Sequence, residues 1–210
     1  MKEASTTVLP SPPSGSKARA TFESLLAAAE RLLHEQGVPA LNSTAVAAEA
    51  GVATGTFYSY FADKDAVLAA LFARGLDDIG AAVRRLLTAD ALLDHGLQVT
   101  LTAAVDAVLA GYRQHSTVIR AALGRIPDSE LLRGVYWQRH EQAVEALEQF
   151  LRRGATAGLI GDRDPAPMAA ALLMIVQSLN HPVVLAGSRR DSKAIAAEIV
   201  RALVALLAPD

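Results

Sequence analysis

Five histidines, His34, His95, His115, His140 and His181, have the widest chemical reach in this 210-residue chain, and their spacing gives them little to do together. No two of them stand in an H-x-x-x-H or E-x-x-H pattern, which would set two metal ligands on one helical face. His140 and Glu141 are neighbours, so on a helix they point about 100° apart. The chain has no cysteine, which excludes thiol nucleophiles, disulfides and cysteine-based metal sites. It has no G-x-S-x-G elbow and no phosphate-binding loop. These residues point to no enzyme, metal or cofactor. The polar chemistry gathers instead in residues 51–65, GVATGTFYSYFADKD, where Thr54, Thr56, Tyr58, Ser59 and Tyr60 precede Lys64. Uncharged hydroxyls followed by one cation suit hydrogen bonding to phosphate oxygens and base edges rather than bond making.

Such groups need a rigid mount, and the surrounding sequence predicts helices. The chain is 51% hydrophobic, rich in Ala and Leu, and nearly free of period-2 alternation, which predicts an all-α protein with a real core. Phe22, Leu25, Leu26, Ala29, Leu32 and Leu33 mark one face of a first helix that Gly37 is placed to end. A short second helix is expected from about Ser43 to Ala50, capped by Asn42 or Ser43 and packed through Val46, Ala47 and Ala50. Gly51 permits a tight turn into a third helix from about Thr54 to Tyr60. Asp63 then caps a long helix whose apolar positions are Val67, Leu68, Leu71, Phe72, Ile79, Val83 and Leu86. Two short helices joined by a glycine turn behind a supporting helix make a helix-turn-helix, whose second helix enters the DNA major groove. On that geometry Phe57 and Phe61 face inward, while Tyr58, Tyr60, Thr54 and Thr56 lie on the outer side. The bland alternative is that both tyrosines simply pack a helical hairpin.

The run LNSTAVAAEAGVATGTFYSYFADKDAVL, residues 41–68, resembles the DNA-binding signature of the TetR family of bacterial transcriptional regulators. The similarity rests on Val46-Ala47, Ala50-Gly51-Val52, Gly55-Thr56-Phe57-Tyr58, Tyr60-Phe61, Lys64 and Leu68, and it is strong over residues 20–70. The resemblance implies that Thr44, Thr54, Gly55, Thr56, Tyr58, Tyr60 and Lys64 meet double-stranded DNA, Lys64 with help from a helix N-terminus. Position 53, often serine in the family, is Ala53, so the recognition helix lacks a usual cap unless Thr54 supplies one. Charge does not announce a nucleic-acid partner. The whole chain is at −2, and residues 20–65 carry six acids against Arg31 and Lys64. Most of those acids are expected to face away from DNA, and Lys17 and Arg19 to form a basic arm in a flexible tail over residues 1–19.

Residues 66–210 are expected to form a larger helical effector-binding and dimerisation domain, bringing the total to about nine helices. Leu97, Leu101, Ala104, Val105, Val108 and Tyr112 give one stripe. Helices are predicted near Thr117–Leu123, Ser129–Ala157, Pro167–Ala186 and Ser192–Leu207, with Pro182 kinking or locally opening the penultimate one. The last helix is apolar on two sides, through Ile195, Ile199, Leu203 and Leu206 and through Val200, Val204 and Leu207. It is either central in its own domain or part of a homodimer interface. The family resemblance implies the latter, with the last two helices pairing and two recognition helices meeting a pseudo-palindromic operator. Gln177, Asn180 and His181, with Tyr136, Trp137 and His140, put polar groups on apolar faces, the usual form of a small-molecule site. The segment GYRQHSTVIRA and the place of Trp137 resemble, more faintly, the mycobacterial regulator of ethionamide activation. That likeness implies a cavity for a small apolar effector lined by Leu101, Val108, Tyr112, Trp137, Met174 and Gln177, each of which could equally be core. The longest apolar run, Met168–Val176, is short of the roughly 20 residues a membrane span needs, and a cytoplasmic place is expected. The resulting expectation is a ligand-responsive regulator, a repressor because most relatives repress. The alternative is a helical interaction module that keeps the motif without useful DNA affinity.

Overall fold

The computed structural model describes residues 9–10, 12–181, 184 and 189–209. Among them are nine α-helices, two short 3-10 turns and no strand. Phe22, Leu25, Leu26, Ala29, Leu32 and Leu33 are all buried on α1, Ser16–Gln36, as their spacing predicts. This helix starts inside the segment expected to be tail, because Ser16-Lys17-Ala18-Arg19-Ala20 are adequate helix formers and Arg19 N–H bonds Gly15 O at 2.8 Å. A 3-10 turn, Val38–Ala40, leads to α2, Ser43–Glu49, and α3, Thr54–Tyr58. Helix α4 runs Lys64–Leu86, α5 Ala89–Gln114, α6 Ser116–Leu123 and α7 Glu130–Thr156. Helix α8, Pro165–Gln177, is followed by a 3-10 turn, Ser178–Asn180, and α9 is Arg189–Leu207. No helix of the described residues is long and apolar enough to cross a membrane.

Two departures from the periodicity have local causes. Helix α5 is bent at Gly96 (φ 76°, ψ 167°), and Ala89–His95 form a separate limb capped by Thr88, whose hydroxyl accepts from Ala91 N–H at 3.1 Å. That limb buries Leu92 but exposes Leu93, so it carries no clear stripe. The helix expected over 167–186 ends at Gln177. His181, which precedes Pro182, is extended (φ −61°, ψ 137°), as the proline ring requires of the residue before it. The expected kink at Pro182 itself lies outside the described residues.

Backbone contacts divide the chain into two compact units. The first comprises residues up to Gly75 together with Thr117–Gln138. Its core is Phe22, Leu25, Leu26, Leu33, Leu41, Val46, Phe57, Phe61, Leu68 and Phe72, joined by Ile119 from α6 and Leu132 from α7, all nearly inaccessible. The second comprises Leu76–Ser116 and Arg139–Asp210. Within it α9 packs on α5 and α8, and the 3-10 turn Ser178–Asn180 packs on α5 and α8. Its core holds Leu101, Val105, Leu109, Phe150, Leu151, Leu172, Leu179, Val200 and Leu207. Here α5 meets the second half of α4 at Gly111, where a β-carbon would collide with the Ile79 side chain. The branched side chain has little room to retreat in a close-packed interior. Gly111→Val is therefore expected to lower unfolding free energy by about 1–3 kcal/mol. Urea denaturation followed by circular dichroism reads this as an earlier midpoint, and Ile79→Ala in the same background recovers part of the loss.

Candidate nucleic-acid interface

Helix α2 begins at Asn42, whose Oδ1 accepts from Ala45 N–H at 2.9 Å while its amide donates to Ala40 O at 3.2 Å. Of the two expected caps, Asn42 is the one used. At the other end Gly51 takes φ +71°; its N–H bonds Ala48 O at 3.0 Å and Val52 N–H bonds Ala47 O at 2.9 Å. This pair of bonds closes a helix only with a left-handed residue between them, which is why glycine stands there. The chain reverses and enters α3, which has no side-chain cap at Ala53, as the missing hydroxyl predicts. Helix α3 stops at Tyr58, two residues short of expectation, because Ser59 and Tyr60 N–H groups reach back to Thr56 O and Phe57 O in a tighter turn.

Five helical residues cannot hold themselves together, so α3 is oriented by what it buries. Phe57 is fully buried, its ring centroid 5.5 Å from that of Phe61, which stacks on Phe22 at 5.2 Å. Tyr60, half-buried, meets the same Phe22 edge-on at 6.1 Å. One residue from Phe57, Tyr58 is 57% exposed. Its ring leans edge-on against Phe57 at 5.4 Å, and its phenol lies 2.9 Å from Ser43 Oγ at the start of α2. Thr44, Gly55 and Lys64 are exposed, and Thr54 and Thr56 half-buried. Phe57 and Phe61 thus face inward and Tyr58 outward as the spacing predicts, whereas Tyr60, expected on the outer side, packs against Phe22. Ser43, which sequence reasoning treated only as a possible cap, is tied to the tyrosine instead; nothing within a few residues of it signals a partner fifteen positions away.

The acidic balance of residues 20–65 is largely met inside the same unit. Glu23 accepts from Arg74 at 2.7 Å and Glu49 from Arg31 at 2.8 Å. Asp63 caps α4 by accepting from Ala66 N–H at 2.9 Å. Asp65 takes two bonds from Arg125, at 2.7 and 2.8 Å. The hydrogen bond it donates to Asp65, then the Asp65 charge, holds the pKa of the Arg125 guanidinium above its ordinary value. Counting Thr117–Gln138, the described residues of the unit carry eight acidic and eight basic side chains, so the unit is neutral rather than acidic.

In the second unit, three residues expected to line an effector cavity, Leu101, Val108 and Tyr112, are buried. Gln177 is half-buried and its amide donates to His140 Nδ1 at 3.3 Å, while Met174 is 68% exposed. Trp137 falls in the first unit, 53% exposed and edge-on to Tyr136 at 5.3 Å. Helix α9 buries Ala196, Val200, Leu203 and Leu207, and leaves Ile195, Ile199, Val204 and Leu206 partly exposed.

With this geometry in view, the family model of the bacterial regulatory proteins, tetR family, matches residues 25–71. No curated protein matches the sequence. Among solved structures, a TetR transcription regulator from Haloarcula marismortui aligns with 20% identity and a TM-score of 0.74, covering 89% of this chain and 98% of that one. A TetR-family transcriptional regulator from Mesorhizobium loti aligns with 20% identity and a TM-score of 0.74, covering 93% and 100%. SmeT in complex with triclosan aligns with 24% identity and a TM-score of 0.72, covering 91% and 93%; SmeT is the repressor of the Stenotrophomonas maltophilia multidrug efflux pump SmeDEF. The helix-turn-helix segment thus matches the tetR family model, and the fold along most of the chain is shared with these regulators.

Proposed function

We propose that the protein is a homodimeric transcriptional regulator that lays α3 in the major groove of a pseudo-palindromic operator and leaves it when a small apolar effector binds. The observation that carries this reading is the change of face between adjacent residues, Phe57 buried and Tyr58 57% exposed. Thr44, Thr54, Gly55, Thr56, Tyr58 and Tyr60 then meet base edges and phosphates, and Lys64 holds a phosphate at the positive end of α4. Dimerisation through α8 and α9 is favoured by the apolar side chains left partly exposed on α9, Ile195, Ile199 and Leu206. An effector site in the second unit would use Leu101, Val108, Tyr112, Met174 and Gln177. The triclosan complex of SmeT supports an apolar effector, and SmeT's role supports repression.

A neutral DNA-binding unit has a measurable consequence. Affinity should fall only modestly with salt, because few phosphates are met by cations. In a mobility-shift titration with the DNA upstream of the protein's own gene, Tyr58→Ala and Lys64→Ala should each weaken the specific complex while the fold persists. Lys64→Ala should also flatten the slope of log affinity against log salt by about 1. Absence of any shift at low salt favours the interaction module instead.

The dimer claim has its own test. Ile199→Asp should convert the protein to monomer in sedimentation, since a carboxylate buried at an apolar interface without a partner is costly. Operator affinity should fall with it, because the two half-sites are then no longer linked. A dimer that survives Ile199→Asp together with Leu206→Glu would place the interface elsewhere.

A further inference from the structure

The turn after α6 is mounted with unusual care for a segment that the helix-turn-helix motif does not include. Arg125 N–H bonds Ala122 O at 2.9 Å, and Arg125 O accepts from Asp128 N–H at 3.0 Å and Ser129 N–H at 2.9 Å. Arg133 closes the turn by donating to Ile126 O at 3.0 Å and Pro127 O at 3.2 Å. From this frame the Arg125 guanidinium reaches sixty positions back along the chain, to both carboxylate oxygens of Asp65. Asp65 is in the first turn of α4, immediately after Lys64. At its other end α6 is tied to the same unit by Thr117, whose hydroxyl lies 3.2 Å from His34 Nδ1 on α1. Both members of the Arg125–Asp65 pair are largely sheltered, with side chains 29% and 19% exposed. A two-bond fork between sheltered planar groups fixes orientation as well as distance.

We propose that Arg125 is a positioning residue for the DNA contact: its fork to Asp65 fixes the first turn of α4, and so the place of Lys64 relative to α3, from a segment outside the motif. The inference rests on the DNA-binding reading and adds to it a residue that no family signature in this chain marks. Asp63, which caps the same turn, fixes the start of α4 along its axis. The fork fixes its rotation. Without it Lys64 and Tyr58 would still be present, but their spacing would no longer match successive phosphates.

Charge and position predict opposite signs for one variant, which makes the test decisive. Asp65→Asn removes an anion beside Lys64, so electrostatics alone gives tighter DNA binding. Loss of the fork gives weaker specific binding. The wild-type protein first selects a duplex from a random library at low salt. Its affinity for that duplex and for an unrelated duplex is then compared with those of Asp65→Asn and Arg125→Lys, which keeps the charge but not the fork. Expected is a loss of about tenfold on the selected duplex for each variant, with less than about twofold change on the unrelated one and a retained thermal transition. Folded variants that bind the selected duplex as tightly as wild type, or more tightly, overturn the proposal; Arg125→Lys decides alone if Asp65→Asn does not fold. A wild-type protein that selects no duplex removes the DNA-binding reading itself, and that result is seen before any variant is measured.

Discussion

Everything that α3 presents to the outside depends on a phenylalanine contact on its inner side. A helix of five residues has too few hydrogen bonds to persist alone, so its direction is set where Phe57 and Phe61 meet Phe22. Burying an aromatic side chain of this size contributes about 1.5–3 kcal/mol, and the geometry of ring packing adds direction to that energy. The Gly51 turn brings α3 to the right angle, but the rings keep it there. The concentration of aromatics in residues 57–61 is therefore divided by purpose. Phe57 and Phe61 are the anchor, Tyr60 packs with one edge of it, and Tyr58 stands on the anchor with its hydroxyl outward. Ser43 restrains that hydroxyl, so the exposed phenol is held from two helices rather than left free to rotate.

Neutrality in the first unit has a structural origin. Its carboxylates are used to tie the helices together: Glu23 links α1 to α4 through Arg74, Glu49 links α2 to α1 through Arg31, and Asp65 links α4 to the turn after α6 through Arg125. The pairs with Arg31 and Arg74 are substantially exposed and contribute little to stability individually. Their effect on surface charge is different. Each pairs an acid that would otherwise stand as an uncompensated negative charge, leaving a surface near α3 whose polar groups are neutral hydroxyls and whose nearby cation, Lys64, sits at a helix N-terminus. Specificity from hydroxyls and backbone does not need a strongly basic field, which is consistent with a chain near neutral overall.

How much of this was legible depended on the sequence distance of the cause. The helix-turn-helix was readable because its determinants are local: apolar spacing on α1 and α2, Gly51, the Asp63 cap and the Phe57/Phe61 interval. The direction of Tyr58 followed from the same spacing. The break of α8 at Gln177 had its signal in Pro182, which was read as kinking or locally opening a longer helix when it also disfavours helical geometry at His181. The short limb of α5 before Gly96 was missed because it buries a single leucine. Ser43 and Arg125 could not be found, since their partners lie fifteen and sixty residues away and no period joins them. Lys17, Arg19, Arg74, Arg120, Arg125 and Arg133 lay outside the segment whose charge was counted, against only Asp128 and Glu130, and for that reason the unit looked acidic.

Helix α4 contributes residues to both units, and its polar pairs differ before and after Gly75. Before it, Asp65 and Arg74 are held by Arg125 and Glu23 of the first unit. After it, Asp77 takes two bonds from Arg139 at 2.9 Å, and Asp78 lies 3.4 Å from the buried imidazole of His115 at the end of α5. For the proposed effector to act on Lys64, it would have to bind two arrangements of α4 with different affinity.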